Sequence, residues 1–79
     1  MKHIELEYLK PFIRSILERS MSEEYAERIV ETEGFVERVR DDIEATSAWE
    51  TEGHYNLHDV FYAIGRIFWE DLNERSLTI

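Results

Sequence analysis

The strongest constraint on the fold is a long apolar stretch at residues 57–74 that has the spacing of a helix. No proline interrupts it, and its apolar residues recur at three- and four-residue steps, which places them on one face. They are Leu57, Val60, Phe61, Ile64, Ile67, Phe68 and Leu72. Asn56 precedes the stretch, and Asp59 stands three positions later, a pattern suited to capping the first turn and facing the positive end of the helix dipole. We therefore expect a central helix at 57–74, around which the rest of the chain packs.

Three further helices are expected earlier in the chain, at about 3–20, 22–32 and 35–46. Pro11 leaves two alternatives for the first: a helix that starts near Pro11, or a longer helix from about Ile4 that is kinked there. Ser20 or Ser22 can cap the second helix, and Gly34 separates it from the third. The residues expected to face the core are Leu9, Phe12, Ile13, Ile16 and Leu17, then Tyr25, Ile29 and Val30, and then Phe35, Val36, Val39 and Ile43.

Between residues 47 and 55 the helical periodicity stops, and this segment is expected to be the longest loop. It contains two large aromatic residues, Trp49 and Tyr55. Because loops are usually polar, we expect these rings to fold back and hold the loop against the core. Residues 76–79 are expected to fray. The pattern predicts one all-α domain over residues 1–79, a small bundle of about four helices.

The charge and size of the chain limit its partners. Its 79 residues include 18 acids, 9 Lys or Arg residues and no cysteine, and the net charge at pH 7 is −9. This charge disfavours nucleic acid and anionic lipid and favours a basic protein partner. No segment approaches the roughly 20 apolar residues of a membrane span, and the N-terminus, with acids at Glu5 and Glu7, does not resemble a signal peptide. We expect a cytoplasmic protein that binds neither membrane nor nucleic acid directly.

Six acids in the second and third predicted helices recur at helical steps. They are Glu23, Glu27, Glu31, Glu37, Asp41 and Glu44. Such rows could imitate the charge of a nucleic-acid backbone and bind a basic partner, or they could be a solvated face that confers solubility. Arg28, Arg38 and Arg40 interleave with the acids at three- and four-residue spacing, which indicates local ion pairs and favours the solvated face.

The last helix carries a second candidate binding surface on its flank. Tyr62 and Trp69 lie seven residues apart, with Arg66 and Asn73 on the same side. Tyrosine, tryptophan and arginine are the residues most enriched in binding hot spots, although a central helix covered on both sides would bury these rings as core. Gly65 borders the flank and would allow another backbone, from this chain or from a partner, to come close.

Few residues suggest catalysis. His54 and His58 are four apart with Asp59 beside them, which resembles a metal-binding spacing, but His54 precedes the predicted cap and no further ligand is evident. The chain has no cysteine, no glycine-flanked serine elbow and no phosphate-binding glycine loop. We therefore expect neither an enzyme nor a cofactor.

Several short segments carry a family resemblance. They are Ser47-Ala48-Trp49, Glu52-Gly53, Tyr55-Asn56, Asp59-Val60 and Ala63-Ile64-Gly65-Arg66. Together they resemble a signature of short acidic proteins from Gram-positive bacteria and their phages and mobile elements. The resemblance brings no assigned activity and no catalytic residue. It implies a small protein that inhibits or modulates a host machine by binding it.

The leading hypothesis is therefore an intracellular protein-interaction module, encoded by a phage or mobile element, that binds a basic, nucleic-acid-binding host protein and inhibits or modulates it. One rival is a homodimeric structural protein that uses the Tyr62 and Trp69 flank on itself. Another is a small metal-dependent enzyme that uses His54, His58 and Asp59.

Overall fold

The computed structural model describes residues 3–77, and within them the side chains of 3–46 and 49–70. This part of the chain forms five helices: α1 (Leu6–Leu17), α2 (Glu23–Glu31), α3 (Phe35–Glu44), α4 (Ser47–Glu52) and α5 (Leu57–Leu77). No strand occurs in the described residues, so the prediction of a small all-α bundle is confirmed. Over the same part of the chain, no helix has the length and apolar content needed to cross a bilayer.

The core lies where α5 packs against α1 and α3. α2 covers α1 and α3 from another side, and α4 contacts α3. Every side chain that is fully buried in the described part of the chain is apolar, so the core is held by exclusion of apolar surface from water. These buried residues are Ile4, Leu9, Ile13, Ile16, Leu17, Ala26, Phe35, Val36, Val39, Ile43, Val60, Ala63, Ile64 and Ile67.

Capping side chains fix where α2 and α5 begin. Ser22 Oγ accepts a hydrogen bond from the Tyr25 N–H at 3.2 Å and starts α2. At α5 the Asp59 N–H donates to Asn56 Oδ1 at 3.0 Å, while the Asn56 N–H donates to Asp59 Oδ2 at 2.9 Å. This reciprocal pair satisfies two amide donors at the helix start and confirms the predicted Asn56 cap.

The first helix is shorter than the predicted 3–20. The residues before α1 bind to α3 instead of continuing the helix. The Ile4 N–H donates to Glu44 Oε2 at 2.7 Å, and the His3 ring lies 2.9 Å from Glu44 Oε1. The Ile4 side chain is buried in the core, so the chain enters as an extended segment before α1 begins at Leu6. α1 then continues through Pro11, so the alternative of a helix that starts near Pro11 is wrong, and the longer helix is observed from Leu6.

The prediction of a loop over 47–55 is wrong for its first part, because Ser47–Glu52 forms α4. Thr46 Oγ1 accepts from the Trp49 N–H at 3.4 Å, and Gly53 ends the helix in a left-handed conformation with φ 69°. The prediction for the two aromatic residues is confirmed. Trp49 and Tyr55 are half-buried against the core, with ring centroids 6.1 Å apart, and the Tyr55 ring also meets Phe12 edge-on at 6.4 Å.

Four residues predicted to face the core are exposed: Phe12, Tyr25, Leu57 and Phe61. On α2 the core position is taken by the smaller Ala26, one residue beyond Tyr25. On α5 the buried face is centred on Val60, Ala63, Ile64 and Ile67, which turns Leu57 and Phe61 outward. By contrast, all four core residues predicted for α3 are buried.

The last helix runs further than predicted. α5 extends to Leu77, beyond the predicted end at 74 and into the tail that was expected to fray. Thr78 and Ile79, and the side chains of Leu72 and Asn73, lie outside the described residues.

Candidate protein-binding face

Helix α5 is apolar on two opposite sides. Its inner side packs on α1 and α3, while its outer side carries large rings in solvent: Phe61 is 58% exposed, Tyr62 57% and Trp69 65%. A helix with apolar residues all round is normally buried all round. We call the outer surface the α5 face; it is formed by Leu57, His58, Phe61, Tyr62, Gly65 and Trp69.

The two alternatives for Tyr62 and Trp69 are thereby decided in favour of the surface. Neither ring belongs to the core, and neither is partly buried against it. Sequence reasoning missed that Phe61 and Leu57 join them, because both also fit the spacing of the inner stripe. The signal that could have found them is the total apolar content of the helix, which exceeds what one face can bury.

The rings of the α5 face pack on one another along the helix. The His58 and Tyr62 rings, one turn apart, have centroids separated by 6.4 Å, and the Phe61 and Tyr62 rings meet at 5.9 Å in an edge-to-face arrangement. Mutual packing restricts the side-chain rotations that a binding partner would otherwise have to immobilise. The surface is therefore partly organised before binding.

Two adjoining depressions lie along this face. The first lies between the end of α1 and the start of α5 and is lined there by Ile16, Arg19, Leu57 and His58. The second lies over Gly65, between Tyr62 and Trp69. The Phe61 and Tyr62 side chains line both depressions, so the two lie side by side on the α5 face.

Gly65 is not explained by the packing of the described chain. A Cβ added there would meet no atom within 4 Å, and unlike Gly34 and Gly53 it does not have a positive φ. A glycine in the middle of a helix costs about 0.5–1 kcal/mol relative to alanine. The close approach expected at Gly65 is therefore not made by any described part of this chain, and the position is open to a partner.

Arg66, predicted to contact a partner, is engaged within the chain. Its Nε lies 2.9 Å and 3.1 Å from the two carboxylate oxygens of Asp42 on α3, and its Nη2 also donates to Asp42 Oδ1. This paired hydrogen bond raises the pKa of Arg66, and the nearby charges of Asp59 and Glu70 act in the same direction. Arg66 thus joins α5 to α3 and forms one edge of the α5 face, with Glu70 beside it.

The six predicted acidic residues do not form one uniform surface. Glu44 is the clearest exception, because its side chain is only 15% exposed and holds the N-terminal segment. Burial alone would raise the pKa of Glu44, but hydrogen bonds from the Ile4 N–H and the His3 ring lower it overall. Asp41 is paired with Arg40 at 3.2 Å, and Glu27 lies 4.0 Å from Arg14.

The remaining three acids differ in exposure. Glu23 and Glu31 are exposed on α2, whereas Glu37 on α3 is half-buried. The exposed acids therefore belong mainly to α2, on a different element from the α5 face.

The histidines near the start of α5 are held in separate contacts. His54 Nε2 lies 3.1 Å from Glu52, His58 packs beside Tyr62, and the Asp59 carboxylate caps the helix. Among the described residues, no three His, Cys, Asp or Glu side chains converge as metal ligands would.

No protein-family model matches the sequence, and no curated protein or solved structure is similar enough to count as a match. The resemblance to short acidic proteins of Gram-positive bacteria stays a prediction.

Proposed function

We propose that this protein is a small acidic binding module that docks through the α5 face onto a basic protein in the cytoplasm and modulates it without catalysis. The observation that carries this proposal is the exposure of Phe61, Tyr62 and Trp69 along one helix side. Contiguous apolar surface of this kind marks interaction sites in monomeric proteins. Tyrosine and tryptophan are also the residues that contribute most when such a surface is buried by a partner.

The charge of the chain supports a basic partner. A net charge of −9 attracts a positively charged protein over distances longer than direct contacts, and it opposes binding to nucleic acid. Nucleic-acid-binding proteins are one class that carries such a basic surface. The exposed acids Glu23 and Glu31 on α2 then steer the encounter, while the rings of the α5 face hold the complex.

The test compares capture of basic proteins by the parent, by Tyr62→Ala with Trp69→Ala, and by a matched control. The control is Tyr8→Ala with Tyr25→Ala, since these tyrosines are 68% and 57% exposed on α1 and α2. We expect the α5 double variant to lose a partner that the parent and the control retain. Equal capture by all three proteins would refute the proposal.

A homodimer is the second candidate, and one observation favours it. Arg66 is paired with Asp42 and Arg38 lies 3.6 Å from Glu70, so the charges at the edge of the α5 face are partly neutralised. Sedimentation of the parent and of Tyr62→Ala with Trp69→Ala distinguishes a homodimer from binding to another protein. If the parent is a dimer and the variant is a monomer, the α5 face binds a second copy of the chain.

A further inference from the structure

We infer that the α5 face receives an amphipathic basic helix of the partner, which crosses α5 directly over Gly65. This inference rests on the proposed function and specifies the partner segment. Phe61, Gly65 and Trp69 are spaced four residues apart and form one row along α5. The missing side chain at Gly65 leaves a notch in that row, between two exposed rings.

A notch in a side-chain row is the feature that helix packing uses. Packed helices place the row of one into the groove of the other, and the distance between their axes depends on the side chains at the contact. Glycine at the crossing point permits the closest approach, and the rings of Phe61 and Trp69 would then flank the crossing helix on both sides. The open space around Gly65 is thus explained by an occupant from outside the described chain.

The alternative of a partner that binds as a β-strand fits less well. A β-strand partner gains affinity by adding to a sheet edge, and the described residues of this protein contain no strand. The backbone groups along the middle of α5 are used within the helix, so a partner must bind through side chains. From Leu57 to Trp69 the face is about 18 Å long, which corresponds to about three turns of a helix.

Charge selects a basic helix over a second copy of this chain. Around the Arg66 guanidinium lie the carboxylates of Asp42, Asp59 and Glu70, and Arg38 lies 3.6 Å from Glu70, so this edge of the α5 face has three acids and two arginines and stays acidic. Lysine or arginine on the flank of an incoming helix would pair with these acids and lie over the Trp69 ring. A second copy of the chain also has a net charge of −9, so its charge would oppose binding at this acidic edge.

Three synthetic 18-residue peptides test this inference. The first is a leucine and lysine helix with one apolar stripe, the second has serine in place of leucine, and the third has glutamate in place of lysine. Binding is measured by fluorescence anisotropy of the labelled peptide with the parent, with Gly65→Leu, and with Ala45→Leu. Ala45 is an exposed position at the end of α3, so its substitution is a control that adds the same side chain away from the face.

We expect the leucine and lysine helix to bind the parent and Ala45→Leu, and to bind Gly65→Leu at least tenfold more weakly. The serine and the glutamate peptides should bind much more weakly than the first peptide to all three proteins. Gly65→Leu should still fold, because the site is open and leucine favours helix over glycine. Its thermal midpoint, which checks this, should equal or exceed that of the parent.

Other outcomes overturn the inference in distinguishable ways. If the first peptide binds Gly65→Leu normally but fails to bind Tyr62→Ala with Trp69→Ala, the crossing at Gly65 is wrong and the proposed function stands. Equal binding of the glutamate peptide overturns the requirement for a basic helix. A dimer that Gly65→Leu dissociates makes the occupant a second copy. If no peptide binds and the double variant still captures the parent's basic partner, both the inference and the proposed function fail.

Discussion

Replacing Glu44 by glutamine tests the contact that holds the N-terminal segment to α3. The carboxylate accepts the Ile4 N–H at 2.7 Å and contacts the His3 ring at 2.9 Å, and it lies beside a buried isoleucine. Glutamine keeps the size of the side chain and one neutral acceptor, but it removes the charge from both contacts.

The expected loss follows from the difference between charged and neutral hydrogen bonds. Bonds to a charged group contribute about 1.5–3 kcal/mol and neutral bonds about 0.5–1.5, so Glu44→Gln should cost about 1–2 kcal/mol. For a domain of this size, that corresponds to a thermal midpoint lower by about 4–16 °C. Circular dichroism measures the midpoint at neutral pH, and the Ile4 amide should exchange its proton faster in the variant. Glu24→Gln, at an exposed carboxylate on α2, should shift the midpoint by less than about 4 °C.

The same variant predicts a dependence on pH. The pKa of Glu44 is lowered from its ordinary value of 4.5, so the ionised carboxylate stabilises the fold above that pH. This stabilisation is lost as the pH falls through the lowered pKa of the folded state. The difference in thermal midpoint between the parent and Glu44→Gln should therefore be largest above pH 4.5 and should shrink as the pH falls below it. An unchanged midpoint at neutral pH, or a gap that widens in acid, would refute the assignment of Glu44 as a tether.

Three further predictions concern α5 and the glycines. Ile64→Asp places an unpaired charge in the core at a cost of several kcal/mol, comparable with the roughly 5 kcal/mol that such a domain has, so the variant should show no cooperative melting in circular dichroism. Tyr62→Ala with Trp69→Ala should melt within about 8 °C of the parent, because exposed side chains contribute within about 0.5 kcal/mol each and about 1 kcal/mol corresponds to about 4–8 °C. A much lower midpoint would show that these rings stabilise the fold. Gly53→Ala should lower the thermal midpoint, because a left-handed φ of 69° costs a residue with a side chain about 1–2 kcal/mol. Gly65→Ala should raise the midpoint, because alanine favours helix over glycine and the added Cβ meets no atom within 4 Å. Shifts of the same sign in both variants would contradict these different roles.

The local features of this chain are the ones that its sequence predicted well. In α3, which begins directly after Gly34, the apolar residues form a single stripe, and every residue of that stripe is buried. The Asn56 cap was also predictable, because its partner Asp59 lies in the same turn. In each case the residues that decide the structure are close in sequence.

The features that sequence reasoning missed depend on distant residues or on ambiguous faces. The start of α1 is set by Glu44, forty residues away from Ile4, and the role of Arg66 is set by Asp42 on another helix. α5 has apolar residues on two sides, so its pattern fits more than one orientation, and Phe61 was assigned to the wrong side. A short helix such as α4 lacks the length to show a period.

The exposed α5 face also has a consequence for the behaviour of the protein in solution. At neutral pH, mutual repulsion between chains of net charge −9 keeps the exposed rings of different molecules apart. Near the isoelectric point, about 4.7, that repulsion disappears while the core, which is apolar throughout the described residues, remains folded. The protein should therefore precipitate in its folded state near this pH and redissolve when the pH is raised. The double variant Tyr62→Ala with Trp69→Ala should give less turbidity than the parent at the same pH.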